Sequence, residues 1–233
     1  MKLRAVTLSL FAALAFAGPG WAGDAVDATQ AVSAPAAKAV VAHYQIRDAK
    51  GERSLVLVRS ADRIEYRMQG QPVEIWRQTP DGISRLELFA KEQRSVAWSP
   101  GDLRTTGQMP DWDRLASVVN PSLRKVLKSN GQTKVLDTQA VRYSGESAEG
   151  QPISLDWIDA EGLPAYYRTG KRNAKAGDAG AYELRLSKIE RVDSAAAFTA
   201  TGDYRETDYA DLGDMELDPF AANYLKQRGE HSH

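Results

Sequence analysis

The chain has 233 residues and no Cys, is 42% hydrophobic and 26% charged, and carries a formal net charge of −1. These values fit a globular protein with one sizeable core, and they exclude disulfides, thiolate catalysis, zinc–thiolate sites and a lipidated N-terminal Cys. A net charge near zero gives no reason to expect nucleic acid or an anionic membrane surface as a partner.

Residues 1–22 have the pattern of a secretory signal peptide. Lys2 and Arg4 precede an apolar run over residues 5–17 that is too short for a stable membrane anchor. Small residues favour cleavage after Ala22, with Ala17 as the second candidate, and an uncleaved N-terminal anchor is the alternative. We therefore expect export to a periplasm, no transmembrane segment in the mature chain, and a flexible Ala-rich leader over residues 23–39.

Regular strand signals begin at Val40. Short runs rich in β-branched and aromatic residues alternate with polar turns, which is typical of an antiparallel meander. The predicted strands are residues 40–47, 52–60, 63–68, 73–79, 83–89 and 94–98. In the third strand, apolar residues alternate with Arg63, Glu65 and Arg67, so these three charged side chains are expected to face solvent.

The middle of the chain changes period. Residues 110–119 and 122–128 carry apolar residues at helical spacing, and both segments are predicted as short helices. Strands are then predicted at residues 133–137, 140–146, 153–158, 164–169 and 182–192. In the last of these the apolar phase shifts, which indicates either a β-bulge near Ser187 and Lys188 or burial on different faces at the two ends.

An acidic segment ends the chain. Residues 195–198 are predicted as one helical turn, residues 204–212 as extended or irregular, and a terminal helix begins after Asp218, with Pro219 at its first position. Because aromatic and aliphatic residues interleave with the acids, we expect residues 201–233 to pack on the barrel. The alternatives are a calcium site or a segment that docks a partner, and the usual calcium-loop spacing is absent.

A hairpin over residues 155–168 carries the most specific motif. Gly162 ends its turn, and Pro164 is placed at the start of the returning strand. The pattern Tyr143-x-Gly145, followed by Trp157-Ile-Asp-x-x-Gly-Leu-Pro164, resembles the LolA/LolB-like periplasmic lipoprotein-carrier superfamily. The resemblance implies a mainly β, α+β fold over residues 40–200: an incomplete antiparallel barrel of about 11 strands, with short helices covering one face and an apolar cavity between. It implies a soluble, remote member.

Within that fold, inward apolar side chains are the candidate ligand-cavity residues. They are Leu55, Leu57, Ile64, Tyr66, Met68, Ile75, Trp98, Leu155 and Trp157. The alternative is that they fill an ordinary core, since apolar strand residues are first of all packing residues. Arg142 is the candidate for binding an anionic head group, while the many other strand Arg residues are expected to pair with Glu on the solvent face.

Three functions remain open. The first is an exported binding or carrier protein for an apolar small molecule, a lipid or an acylated protein. The second is an interaction module with a protein partner of the cell envelope. The third is an enzyme that uses the cavity, in which Tyr66 and Arg142 would carry the acid–base chemistry. No cofactor, metal or catalytic motif is predicted; His231 and His233 are interpreted as a frayed terminus, and His43 has no nucleophile motif beside it.

Overall fold

The computed structural model describes residues 38–170 and 181–229, in which twelve strands form one sheet. The strands are β1 Lys38–Asp48, β2 Gly51–Arg59, β3 Arg63–Met68, β4 Val73–Thr79, β5 Gly82–Phe89, β6 Arg94–Trp98, β7 Lys128–Val135, β8 Thr138–Glu146, β9 Pro152–Ile158, β10 Leu163–Thr169, β11 Tyr182–Asp193 and β12 Arg205–Asp208. Their order is β12-β6-β5-β4-β3-β2-β1-β11-β10-β9-β8-β7, antiparallel except that β12 runs parallel to β6. The sheet is open at β12 and β7, which confirms the predicted incomplete antiparallel barrel.

Short helices accompany the sheet. They are α1 Pro100–Thr105, α2 Trp112–Ser117, α3 Leu123–Val126, α4 Ser194–Ala197 and α5 Pro219–Gly229, with a 3₁₀ helix at Tyr209–Asp214. Leu103 of α1, Leu212 of the 3₁₀ helix and Tyr224 of α5 are buried in the main apolar cluster. Most helices therefore cover the same face of the sheet, while Ala197 of α4 packs with Val41 and Val58 in a separate cluster.

Strand register defines the face that these helices cover, here called the inner face. A row of paired residues crosses five neighbouring strands: Tyr143, Leu155, Tyr167, Leu184 and Ile46. Paired residues in a sheet project to the same side, and successive residues of a strand project to opposite sides. Each strand thus contributes alternate apolar residues to the inner face, and this is the period that makes the meander recognisable in the sequence.

The shift of phase in β11 is a β-bulge at Ser187. His43 pairs with Lys188 and Tyr44 pairs with Leu186, so Ser187 has no partner across the ladder. Its hydroxyl donates to the backbone oxygen of His43 at 3.0 Å. The extra residue returns Ile189 to the side of Leu184 and Leu186, all packed with the main cluster. The bulge interpretation of the sequence is confirmed.

Several element boundaries differ from the sequence prediction. Helix α1 was not predicted, although Ser99 and Asp102 form a capping box with Pro100 at the first helical position. The helix predicted up to residue 128 ends at Val126, and β7 begins at Lys128. The strand predicted up to residue 137 ends at Val135, because Leu136 and Asp137 both take positive φ, 47° and 61°, in the turn to β8.

The C-terminal segment, from residue 201 onward, packs at the edge of the sheet where β12 pairs with β6. Asp218 caps α5 by accepting from the backbone N–H of Phe220 at 2.8 Å, as the sequence pattern predicts. Tyr209 stacks on Trp98 with ring centroids 3.5 Å apart.

The predicted signal peptide and almost all of the leader, the loop over residues 171–180, and both terminal His lie outside the described residues. Lys38 and Ala39, assigned to the leader, already belong to β1.

Candidate functional site

The structure places the nine candidate cavity residues in three apolar clusters. Leu55, Leu57, Ile64 and Trp98 are at most 2% exposed in the main cluster, and Tyr66 and Met68 pack against it. Leu155 and Trp157 belong to a second cluster with Leu127 and Ile153; Leu123 and Tyr167 pack against both clusters and connect them. Ile75 lies apart, with Leu86 and Leu88. Eight of the nine residues therefore share one connected apolar interior.

Arg142 lies on the opposite face from this interior. It pairs with Asp156, which is followed across the sheet by Tyr166 and Arg185. Its Nε is 3.3 Å from Asp156 Oδ1, and its side chain is 53% exposed. The four residues line an outer cleft of about 550 Å³. Arg142 therefore lies on the other side of the sheet from Trp157 and Tyr66. Tyr66 and Arg142 do not form the acid–base pair that was considered for an enzyme.

Three of the candidate residues lie beside open volume: Ile75 and Trp98 line a cleft of about 240 Å³, and Trp157 lines a larger one. The side chain of Trp157 is 1% exposed, and it lines a cavity of about 350 Å³ between α2, α3 and the turn from β9 to β10. The guanidinium of Arg124 lies 4.5 Å from the ring centroid. No residue of 38–170 or 181–229 accepts a hydrogen bond from the indole Nε1, although that atom is buried. A buried donor without an acceptor is costly, so the wall of the cavity contains an unsatisfied hydrogen-bond donor.

The same region explains the Tyr-x-Gly part of the motif. Tyr143 packs in the cluster of Trp157, and two residues further on Gly145 lies under Leu127. A Cβ at Gly145 would meet Leu127 Cδ2 at 2.8 Å, closer than real contacts allow. Glycine therefore lets the chain before β7 close over β8, and Leu127 is buried against Leu155 and Trp157 as a result.

One wall of the cavity belongs to residues 109–126, here called the flap. Its inward side is apolar: Trp112, Leu115 and Leu123 pack against the main cluster. Two side chains of the sheet bind the end of α2. Arg59 Nη1 donates to the backbone oxygen of Ala116 at 2.5 Å, and the hydroxyl of Tyr66 donates to the backbone oxygen of Leu115.

The flap carries local strain immediately after this attachment. Val118 has φ 64° and ψ −38° at the C-terminal end of α2, a conformation that β-branched residues rarely adopt. Such outliers cost about 1–3 kcal/mol and persist only where surrounding contacts enforce them. The hydroxyl of Ser117, which donates to Val119 O at 2.8 Å, is one of these contacts. The flap is thus an attached element with stored strain at its turn.

Arg59 is a partly buried cation in the wall of the cavity. Its Nη2 also donates to the backbone oxygen of Glu161 in the β9–β10 turn. Burial lowers the pKa of its guanidinium, and the neighbouring Tyr44 and Glu161 act in the opposite direction. Burial likewise raises the pKa of the Tyr66 hydroxyl, so that side chain is neutral and donates to the flap. The Arg59 guanidinium and the Tyr66 hydroxyl both stay protonated near neutral pH, so both remain donors to the flap.

A second group of charged residues lies under the C-terminal segment. Glu87 is 3% exposed and accepts from Trp98 Nε1 at 3.1 Å and from the hydroxyl of Tyr224 and Arg228 Nη2. The guanidinium of Arg85 lies 4.1 Å from the Trp98 ring centroid. Glu74, paired with Glu87 across the strands, has a raised pKa because it is buried and because Glu87 lies beside it. The charged groups of this region bind one another, and Arg85 and Trp98 also line the cleft of about 240 Å³.

Sequence reasoning missed the cations of the cavity. Arg124 and Lys125 line it together with Arg59, but they lie in a stretch that was interpreted only as a helix. Two adjacent basic residues after Pro121-Ser122 were the available signal. Spacing could not indicate that this short helix lies over Trp157, since β7, β8 and most of β9 separate the two along the chain.

Among residues 38–170 and 181–229, no three His, Asp or Glu side chains are grouped so that they could hold a metal ion. None of the helices in these two ranges is both long and apolar enough to cross a membrane.

No family model and no curated protein matches the sequence. Solved structures give partial likenesses. An uncharacterised conserved protein from Thermus thermophilus aligns with a TM-score of 0.46 and 13% identity over 73% of this chain and 90% of that chain. The MucA/MucB complex of Pseudomonas aeruginosa gives 0.41 and 9% over 72% and 57%. An outer membrane lipoprotein-sorting type of domain from Vibrio parahaemolyticus gives 0.29 and 10% over 68% and 86%.

Proposed function

We propose that this chain is an exported binding or carrier protein that takes up an apolar or acylated ligand, of lipid or lipoprotein type, beneath the flap. The observation that carries the proposal is the open volume beside the buried Trp157, whose apolar cluster is connected to the main cluster through Leu123 and Tyr167. Ligand sites are typically concave and mostly apolar, with a few placed polar groups. The motif-based resemblance to lipoprotein carriers and the predicted signal peptide support a periplasmic location.

Uptake requires the flap to move. In the closed state Trp112, Leu115 and Leu123 occupy the inner face that an acyl chain would cover. Lifting the flap breaks the bonds from Arg59 and Tyr66 and releases the strain at Val118, so part of the cost is offset. A bound acyl chain then replaces the apolar contacts of the flap, at about 25 cal/mol for each Å² of apolar surface buried.

Binding is tested with a neutral apolar probe, so that charge has no part in the result. N-phenyl-1-naphthylamine fluorescence is followed with the purified mature chain, and monoacylglycerol is added as a neutral competitor. We expect bound probe, displacement by monoacylglycerol, and a lower affinity in Trp157→Ala. Arg142→Gln on the outer face serves as the control. A clean apo mass in native mass spectrometry, together with no probe binding, would reject the proposal.

A second candidate function, an interaction module of the envelope, draws on the exposed acidic side of the C-terminal segment. Glu206 and Asp208 of β12, and Asp211 and Asp214 of the 3₁₀ helix, are all exposed. Replacing these four residues by Asn or Gln leaves the buried side of the segment intact. If the capture of envelope proteins were unchanged by the replacement, this role would be excluded for the segment.

A further inference from the structure

Arg59 is a partly buried cation without a carboxylate partner. Within residues 38–170 and 181–229 no Asp or Glu oxygen lies within 4.0 Å of its guanidinium, and its two recorded bonds go to the backbone oxygens of Ala116 and Glu161. The carboxylate of Glu161 is bound instead by Arg191, at 2.7 and 2.8 Å. Buried charges are usually paired, because removing a charge from water is expensive. The guanidinium of Arg59 is thus bound directly only by backbone carbonyls, and the charge of Glu161 acts on it without contact.

The cavity next to Arg59 has an excess of positive charge. Arg59, Arg124 and Lys125 line it, and Asp113 is the single carboxylate among the lining residues. Arg124 is already paired with Asp159, at 2.7 Å, while Lys125 is exposed at the rim. Asp113 is exposed at the beginning of α2. Of the three cations that line the cavity, Arg59 and Lys125 therefore have no carboxylate in contact among the described residues, and Arg59 is the more buried of the two.

Trp157 provides an independent observation in the same wall. Its indole Nε1 is buried, and no described residue accepts its hydrogen. Arg59 thus lines the cavity as a donor, and Trp157 holds an unsatisfied donor within the same wall, while the only lining carboxylate, Asp113, binds neither of them. A guanidinium binds phosphate and carboxylate oxygens through two parallel hydrogen bonds, and such charge-assisted bonds are about twice as strong as neutral ones.

We infer that this cavity binds the anionic group, phosphate or carboxylate, of the ligand, with Arg59 and Trp157 as donors and Arg124 and Lys125 at the rim. The inference rests on the proposed function and specifies the polar end of its ligand. It also connects recognition with opening. An anion that binds the Arg59 guanidinium competes with the Ala116 carbonyl for Nη1, so the arrival of the head group weakens the attachment of the flap where the chain of the ligand must enter.

The test compares two ligands that differ only in the anion. Lysophosphatidic acid and the monoacylglycerol with the same acyl chain are titrated into the mature protein by calorimetry, and inorganic phosphate is titrated alone. We expect lysophosphatidic acid to bind at least about tenfold tighter than monoacylglycerol, which corresponds to about 1.4 kcal/mol. The preference should decrease at higher ionic strength, because Arg124 and Lys125 act through solvent.

Variants separate the anion site from the apolar site. Arg59→Gln should lose the tenfold preference; because it also frees the flap from Ala116, its affinity for monoacylglycerol should rise, and the ratio of the two affinities is therefore the readout. Because Arg59 also attaches the flap, the double variant Arg124→Gln/Lys125→Gln, at a more exposed position, gives a second reading and should reduce the preference severalfold. Arg142→Gln and Arg185→Gln on the outer face are the matched controls, and both should keep the preference.

The outcomes distinguish this inference from the proposed function. Equal affinity of the wild type for both lipids, or a preference that survives in Arg59→Gln, overturns the anion site and leaves the carrier function standing. Inorganic phosphate that binds as tightly as lysophosphatidic acid, with no binding of monoacylglycerol, supports the anion site and assigns it to free phosphate, which rejects the carrier function. No binding of any of the three probes overturns both.

Discussion

The carboxylate of Glu65 accepts hydrogen bonds from both the backbone N–H and the side-chain hydroxyl of Thr199, which lies 134 residues further along the chain. Its Oε2 accepts from Thr199 N at 3.0 Å, and its Oε1 accepts from Thr199 Oγ1 at 2.5 Å. Arg67 Nε lies 2.5 Å from Oε1, and Arg63 Nη2 lies 3.4 Å from Oε2. The Glu65 side chain is fully buried, so the prediction that this charged face meets solvent was wrong at Glu65. The segment after α4 covers it.

We therefore expect Glu65→Gln to destabilise the fold by about 2–3 kcal/mol, because two arginines lose their counter-charge in a buried site. Urea denaturation gives the free energy of unfolding. Glu190→Gln is the control, since that carboxylate is 38% exposed and pairs with Lys188 at the surface. A loss below about 0.5 kcal/mol in Glu65→Gln would contradict the structural role assigned to Glu65.

Tyr66→Phe should loosen the flap without removing apolar surface. The hydroxyl that binds the backbone oxygen of Leu115 is lost, and the opening free energy should fall by about 1 kcal/mol, or about fivefold in the open population. Hydrogen exchange of the amides of residues 112–126 measures this. Tyr167→Phe is the control, because within the described ranges no residue forms a hydrogen bond with the hydroxyl of Tyr167. Equal exchange in both variants would show that Tyr66 does not hold the flap.

Glu74 should make the wild type less stable as the pH rises. Burial, and then the charge of Glu87, raises the pKa of Glu74 above its ordinary value of 4.5. Between 4.5 and the raised value the folded state holds more protons than the unfolded state, so stability is lost as the pH increases through that window.

Glu74→Gln removes this penalty. We expect its melting temperature to exceed that of the wild type at about pH 8, and the difference to decrease toward about pH 4, where both states of the wild type are protonated at this residue. Glu52→Gln is the control, since its carboxylate is 57% exposed. Parallel stability profiles for the wild type and Glu74→Gln would argue against the raised pKa.

Asp218→Ala should detach the beginning of α5. Asp218 accepts from the N–H groups of Phe220 and Ala221 and pairs with Arg94 at 3.0 Å. Loss of a helix cap and of a half-buried ion pair should cost about 1–2 kcal/mol. Asp214→Ala, in the exposed part of the 3₁₀ helix, should be neutral. The rate of limited proteolysis within residues 215–229 reports the detachment directly, and no acceleration in Asp218→Ala would oppose it.

Local patterns predicted most of the fold. Alternation marked the first six strands, and the change of phase before Ile189 revealed the bulge at Ser187, because side-chain period is a property of the strand itself. Only the end of β7, residues 133–135, was recognised in this way, and its polar first part was not. Its residues are mostly exposed, and the ladder to β8 stabilises it instead of burial. Helix α1 could have been predicted, because the capping box of Ser99 and Asp102, with Pro100 at the first helical position, can be read from the sequence.

The site depended on contacts that sequence does not encode locally. Ile75 and Trp76 are adjacent and apolar, and alternation alone cannot decide which one faces inward; the structure places Trp76 in the main cluster and Ile75 outside it. Glu65 is buried because residues far along the chain cover it. The sequence places Arg59 among the strand arginines that are expected to pair with Glu. In the structure no carboxylate contacts it, because the nearby carboxylate of Glu161 is bound by Arg191.

The pairing of β1 with β11 joins the two halves of the sheet, and its outermost bond, from Lys38 to Asp193, spans 155 residues. β1 to β6 and β7 to β11 each pair with their neighbours in sequence, so each half is a set of local hairpins. Closing a long loop costs entropy before its contacts form, and non-local pairing slows folding. We therefore expect the joining of β1 to β11 to follow the hairpins within each half, and until it forms, the central edge of each half-sheet is open to the wrong partner.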